Sequence, residues 1–230
     1  MSRRIVALLP MKANSERVRG KNFRILNGKP LFRWVLDSLL SVEAIDQVVI
    51  NTDARAILAE NGLNSSDRVL IRDRRPEICG DLISMNLVLA DDVASVPADI
   101  YVMTHTTNPL LSGDTIRAAL TAYLESGGKF DSLFTVNRYQ TRFYRADGSP
   151  INHDPGHLSR TQDLEPWYEE NSNLYIFTRE SFASTNARIG IKPIMFEMSV
   201  LESFDIDTQD DWTLCEIVSR HMTATANDAP

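Results

Sequence analysis

The chain has 230 residues, 43% of them hydrophobic and 24% charged, with ten glycines and ten prolines. This suits one α/β domain with a sizeable core and excludes collagen-like, low-complexity and disulfide-miniprotein classes. The net charge of −7 argues against general binding to nucleic acid or anionic membrane. Apolar runs such as Ile5–Leu9 fall far short of the ~20 residues a membrane-spanning helix needs. After the basic start Met1-Ser2-Arg3-Arg4, the apolar stretch stops at Pro10, too early for a secretory signal. Cys79 and Cys215 show no metal spacing, so the expected setting is reducing and cytoplasmic.

In chain order, Arg3–Leu9 reads as a buried parallel strand ending at a proline, and residues 10–22 as a polar loop. Asn27-Gly28 marks a turn. Pro30 suits the start of a helix whose apolar face carries Leu31, Val35 and Leu39, with Trp34 and Leu40. Strands are expected over Gln47–Asn51 and Arg68–Ile71, with a short helix through Ala54–Glu60 between them. Asp73–Ser84 reads as a loop before a helix over Met85–Val93. Ala98–Thr104 is a further strand, followed by a loop to Gly113 and a helix over Thr115–Glu125 capped by Asp114. Asp131–Val136 is a strand. Residues 138–171 then break the alternation with a polar, aromatic, turn-rich excursion, read as a lid or a dimer arm. Short strands are expected over Asn173–Phe177, Ile194–Met198 and Phe204–Ile206. A last helix, capped by Thr208 or Asp207, is expected to end near Arg220, with residues 221–230 a disordered tail. The alternation predicts a doubly wound, mainly parallel sheet in one domain spanning residues 1–220.

No Gly-x-Gly-x-x-Gly, Walker or Gly-x-Ser-x-Gly motif is present. The charge distribution says more. Residues 12–33 hold Lys12, Arg17, Arg19, Lys21, Arg24, Lys29 and Arg33 against Glu16 alone, a window of +6 in a chain whose remainder is −13. Residues 197–211 hold six acids and no Lys or Arg. In an open α/β sheet, ligands bind at the carboxyl ends of strands. A loop there with Ser15 and several cations can hold a triphosphate, because a departing phosphate needs fixed positive charge. In Asp205-Ile206-Asp207, two carboxylates roughly 6–7 Å apart on one face of a strand suit Mg²⁺, which completes its shell with water and phosphate. The alternative is that Asp207 only caps the final helix. Asn51-Thr52-Asp53 and the Thr104–Leu110 turn lie at the ends of two further strands.

Taken together, these motifs resemble the acylneuraminate cytidylyltransferase family over about 210 residues, from Ile5 to Glu216. The resemblance rests on Lys12-x-x-Ser15, Gly20-Lys21-Asn22, Gly28-Lys29-Pro30-Leu31, Asn51-Thr52-Asp53 and Arg75-Pro76-Glu77 with Asp81. It continues through Thr107-Asn108-Pro109-Leu110, Gln162-x-Leu164 with Tyr168, Asn171 and Tyr175-Ile176, and ends at Asp205-Ile206-Asp207-Thr208. It implies a nucleotide-diphospho-sugar-transferase-like fold, Mg²⁺ on Asp205 and Asp207, and a homodimer reached by the excursion. It implies CMP transfer from CTP to a 2-keto sugar acid of nonulosonic type, with release of pyrophosphate. Carried over, Ser15, Lys21, Asn22, Asp53 and Arg74 or Arg75 face the nucleotide and its phosphates. Lys12 and Lys21 stabilise the leaving pyrophosphate. Arg160, Gln162, Tyr168, Asn171 and Tyr175 face the sugar, as does His105, which is either a general base or a hydrogen-bond donor.

The sequence also departs from the family pattern. Lys12 stands where the family carries Arg and lacks the bidentate fork. Ser15-Glu16-Arg17 resembles the loop of the octulosonate enzymes. His105 replaces a Gln, and Thr161 precedes Gln162 where an Arg is usual. The alternatives are an octulosonate or other sugar nucleotidyltransferase, an Asp-x-Asp glycosyltransferase, and a non-catalytic nucleotide-binding protein.

Overall fold

A computed structural model describes residues 3–15 and 18–227. Nine strands and six helices alternate along the described chain. Strand β1 (Ile5–Leu8) is fully buried, and its side chains divide by period two. Ile5 and Ala7 join the core on one face of the sheet, and Val6 and Leu8 the core on the other. A two-stranded ribbon follows, β2 (Ile25–Leu26) with β3 (Lys29–Pro30). Its turn is Asn27-Gly28, both at positive φ (44° and 93°), the backbone a two-residue hairpin demands. Helix α1 (Leu31–Leu40) begins after Pro30, which occupies the cap position, and buries Leu31, Phe32, Val35, Leu36 and Leu39. Each such burial is worth about 1.5–3 kcal/mol.

Next come β4 (Gln47–Thr52), α2 (Arg55–Glu60), β5 (Val69–Asp73), α3 (Met85–Ser95) and β6 (Ile100–Thr104). They are followed by α4 (Gly113–Glu125), β7 (Ser132–Tyr139), β8 (Trp167–Phe177), α5 (Arg179–Thr185), β9 (Pro193–Glu197) and α6 (Gln209–Asn227). The seven-stranded sheet has the order β5-β4-β1-β6-β8-β7-β9. Only β8 runs against the rest, pairing antiparallel with β6 and β7, so the sheet is mainly parallel. Helices α1 and α4 pack on one face, and α3 and α5 on the other. The expected doubly wound α/β fold is the one observed.

Several local expectations are corrected. The hydroxyl of Ser112, rather than Asp114, caps α4; Asp114 lies in the first turn and pairs with Arg117. Strands β7 and β8 are longer than their apolar runs, because residues 137–139 and 167–169, most of them polar or exposed, pair as a ribbon beyond the core. The irregular excursion is therefore shorter, covering residues 140–166, and contains two isolated bridges and one 3-10 turn. Between the sheet and the ribbon, the register shifts across Phe134 and Val136. Ser172 sits there at φ 54°, and the Thr135 hydroxyl bridges Asn171 Oδ1 and the Leu174 N–H. A bulge of this kind bends the ribbon away from the sheet.

Phe204–Ile206 is not a strand of the sheet; the Ile206 N–H bonds the Thr107 carbonyl instead. Helix α5 was not anticipated; its Thr178 capping box is polar and its length is only two turns. The expected tail from residue 221 is helical through Asn227, because no glycine or proline interrupts that stretch and Met222 packs against the core. Residues 228–230 lie outside the described ones. Among the described residues, no helix is long and apolar enough to cross a membrane.

Candidate functional site

The carboxyl ends of β1, β4 and β6 open on one side of the sheet, because those strands are parallel neighbours. Residues 9–15 leave β1 there, and they and residues 18–22 are pinned at several points. The Met11 N–H bonds the Asn51 carbonyl at 3.1 Å, and the Ala13 N–H bonds Asp53 Oδ1 at 2.7 Å. The Arg74 guanidinium donates to the Met11 and Asn51 carbonyls at 3.0 and 2.8 Å. Buried Asn22 donates to the Lys12 carbonyl at 2.8 Å and accepts from the Thr106 hydroxyl at 2.7 Å. Its carboxamide ties the two ends of the loop to the turn after β6.

Apolar packing brings the distant acidic stretch to this loop. Val18, Leu26 and Leu31 pack with Ile206, and with Trp212 and Cys215 of α6. Arg24 lies over the Trp212 ring at 4.1 Å, closing the same seam. Ile206, central in Asp205-Ile206-Asp207, is fully buried; Asp207 faces the cleft, whereas Asp205 does not line it and hydrogen-bonds Thr107. Lys21 Nζ donates to the Ile206 carbonyl and lies 3.5 Å from Asp207 Oδ1. The Lys21 side chain is only 8% exposed.

The result is a cleft of about 330 Å³, lined by Lys12, Ser15, Lys21, Asn22, Arg74, His105, Thr107 and Asp207 among others. Seven of the residues predicted to carry function therefore face one cavity. Lys12 also pairs with Asp81 across its mouth. Of the seven cations between residues 12 and 33, Lys12 and Lys21 line this cleft. Arg24, Lys29 and Arg33 instead bond Gln209, Asp37 and the Gly62 carbonyl, Arg19 is exposed, and Arg17 lies outside the described residues.

The acidic pair fits a divalent ion. Asp205 Oδ1 is buried and has no hydrogen-bond partner among the described residues. Burial pushes the Asp205 carboxyl above the usual range, a Thr107 hydrogen bond opposes this, and Asp207 adds to it. A cation beside the two carboxylates would offset both the desolvation and the like-charge repulsion. The cap of α6 is built by Thr208 and Asp211, whose side chains each bond the other's backbone N–H. No group of three or more protein ligands surrounds a point among the described residues. An ion here would draw its remaining ligands from water and phosphate, as Mg²⁺ does.

His105 follows β6 directly. Its Nε2 lies 3.1 Å from Arg188 Nη1. Guanidinium only donates, so Nε2 accepts and the ring proton sits on Nδ1. Burial first, then the charges of Arg188 and Lys21, pull the imidazole down to about 3, so it is neutral at physiological pH. That leaves it a donor from Nδ1 and a poor base.

Other predicted site residues lie elsewhere. Asp53 anchors the loop through Ala13 and does not line the cleft. Between the two arginines, Arg74 lines it, and Arg75 pairs with Asp91 at 2.8 Å. Arg160 pairs with Asp163, and Gln162 offers its carbonyl to Gln140, both on the excursion. Tyr168 is exposed on the β7–β8 ribbon, opposite Arg138. Asn171 is consumed by Thr135 and Asn137 at the bulge. Tyr175 is buried, donates to Glu170, and carries Arg188 on its ring face at 3.9 Å. Sequence reasoning missed Arg188, which sits on an irregular loop with no motif around it.

The same fold occurs in a solved structure of CMP:2-keto-3-deoxy-manno-octonic acid synthetase complexed with CTP, with a TM-score of 0.65 at 14% identity, covering 95% of this chain and 99% of that one. At that identity the likeness shows a shared fold. The model of the family described as Cytidylyltransferase matches residues 6–224, and the chain belongs to that family. It is 28% identical over 225 residues to CMP-N,N'-diacetyllegionaminic acid synthase of Legionella pneumophila, covering 93% of this chain and 95% of that protein. It is 29% identical over 223 residues to N-acylneuraminate cytidylyltransferase of Oncorhynchus mykiss, covering 93% of this chain. The chain spans about half the length of that relative, 50%.

Proposed function

We propose that the chain transfers CMP from CTP to a 2-keto sugar acid of the nonulosonic type and releases pyrophosphate. The observation that carries this reading is the cleft in which the loop after β1 faces Asp207, two residues from Asp205 and its buried, unpartnered Oδ1. Family membership and two relatives named for this chemistry support it.

The sugar's anomeric oxygen bonds the α-phosphorus in line as the bond from that phosphorus to the bridging oxygen breaks; pyrophosphate departs and the hydroxyl proton passes to solvent. Such transfer depends on positioning and charge neutralisation more than on covalent chemistry. Ser15 and backbone N–H groups of the loop bind phosphate oxygens, and Lys12 and Lys21 neutralise the charge that develops on the leaving group. Lys12 must leave Asp81 to do so. Asp205 and Asp207 would hold Mg²⁺, which when bound supplies phosphate orientation and acidifies a coordinated hydroxyl. Neutral His105 donates from Nδ1 toward the acceptor.

The exposed aromatic and apolar side chains of residues 139–168, Tyr144 and Leu158 (80% exposed) among them, support a homodimer arm. Light scattering of the purified protein tests that. CTP as donor argues for a cytoplasmic reaction.

The deciding experiment is a pyrophosphate-release screen with Mg²⁺. It crosses the four nucleoside triphosphates with neuraminic, legionaminic, pseudaminic and octulosonic acids. Release with CTP and a nonulosonic acid is the expected result. Turnover of octulosonic acid alone, or release of a nucleoside diphosphate from a sugar nucleotide, contradicts the reading. CTP binding with no turnover on any acid contradicts it as well.

A further inference from the structure

We propose that Arg188 is the anchor for the acceptor's carboxylate, and that it thereby sets the enzyme's preference for acidic sugars. This rests on the proposed reaction and adds to it a residue that no motif marks. Arg188 lies on the loop between α5 and β9 and is 20% exposed. Its guanidinium carbon lies over the Tyr175 ring, 3.9 Å from the centroid, and this contact restrains the donor fork. Only two polar partners are present among the described residues, His105 Nε2 at 3.1 Å and Glu170 Oε1 at 3.3 Å. Glu170 is shared with the Tyr175 hydroxyl, so the one nearby acid compensates the cation weakly. Several of the five N–H donors remain for a planar anion.

The position matches the chemistry. In a 2-keto sugar acid, the carboxylate is bonded to the same carbon as the attacking hydroxyl. A hydroxyl placed beside Asp207 therefore puts its carboxylate carbon two bonds from the attacking oxygen. His105 lines the cleft and touches Arg188, so the guanidinium stands one imidazole behind the cleft wall. A second concavity of about 250 Å³, lined by Arg188, Ala187, Ile189 and the first residues of α3, shares Met85 with the cleft. Arg188 thus lines a hollow that adjoins the cleft at Met85.

The test compares wild type, Arg188→Ala and Arg188→Lys, using the acid that the pyrophosphate screen selects and its methyl ester. KM for the acid should rise about 30-fold in Arg188→Ala, the loss expected for charge-assisted hydrogen bonds. KM for CTP should stay within about twofold. Discrimination between acid and ester, strong in wild type, should collapse in Arg188→Ala and partly return in Arg188→Lys. Retained discrimination in Arg188→Ala, or equal rises in both KM values, overturns the proposal. If Arg188→Ala does not fold, as read by circular dichroism, the acid-to-ester ratio in Arg188→Lys decides, and a ratio unchanged from wild type overturns it. Wild type that turns over no sugar acid refutes the proposed reaction itself, a distinct outcome from turnover with unchanged discrimination.

Discussion

The two halves of the sheet hold their site residues by different means. In the half formed by β5, β4, β1 and β6, parallel strands end together, and short loops carry Lys12, Lys21, Asn22 and Arg74 straight into the cleft. In the half formed by β8, β7 and β9, one antiparallel strand, a bulge and an irregular loop set Glu170, Tyr175 and Arg188 through one another. The first half is anchored largely by backbone and buried amide contacts, and the second by a chain of side chains. On this reading, changes in the first half should move the parameters for CTP, and changes in the second those for the acceptor.

The largest effect is expected where the halves meet. Asp207→Asn should lower pyrophosphate release by about 10²–10³-fold at saturating substrates, the cost of one missing electrostatic element at a reacting centre. Asp205→Asn should do the same while raising the unfolding midpoint, since it removes a buried charge without a hydrogen-bond partner on Oδ1. Steady-state rates and thermal melts on both variants check this. Near-normal turnover would separate the acidic pair from the chemistry.

Next, Lys21→Met should reduce kcat/KM for CTP by about 30–100-fold, because a charge-assisted hydrogen bond to phosphate disappears with the ammonium group. KM for the acid should stay nearly unchanged, and initial rates with each substrate varied in turn check both values. Equal losses for both substrates would blur the division between the halves.

How much of this was legible in sequence follows the same division. Apolar runs ending at Pro10, Asp53 and the Thr104–Leu110 turn mark strand ends, and strand ends are where α/β sheets bind ligands. The meeting of Gly20-Lys21-Asn22 with Asp205-Ile206-Asp207 was likewise readable, because Val18, just before the first motif, and Ile206, inside the second, are apolar residues that pack in the same seam. The β7–β8 ribbon was not, since its polar side chains give no alternation and its pairing is set by the bulge. Charge counting also misled. Arg24 and Lys29 lie over tryptophan rings, and only burial and geometry distinguish such cations from phosphate ligands.

Smaller effects sharpen the picture of the first half. Asn22→Ala leaves the Thr106 hydroxyl without its acceptor and should cost roughly 1–3 kcal/mol in urea unfolding, with KM for CTP raised about tenfold. Beneath the loop, burial pushes the Asp92 carboxyl up to about 6 against the pull of Asn51 and Arg72. Its folded value exceeds its unfolded one. Its contribution to stability is therefore fully present below about pH 4 and is lost as pH rises through about 6. Denaturant curves of wild type and Asp92→Asn should accordingly differ in slope across that window, with wild type losing stability faster toward neutrality. Parallel curves would contradict the assignment. Asp53→Ala should have the smallest effect, a few-fold rise in KM for CTP through a looser Ala13 segment. A loss comparable to that of Asp207→Asn would mean that Asp53 meets the nucleotide itself.

The most direct test is Mn²⁺ binding, followed by electron paramagnetic resonance with and without CTP, on wild type and on the Asp205→Asn/Asp207→Asn double variant. One ion per chain, held tightly only when CTP is present and absent from the double variant, is the predicted result. Ion and nucleotide binding unchanged by the double substitution would contradict a shared cleft.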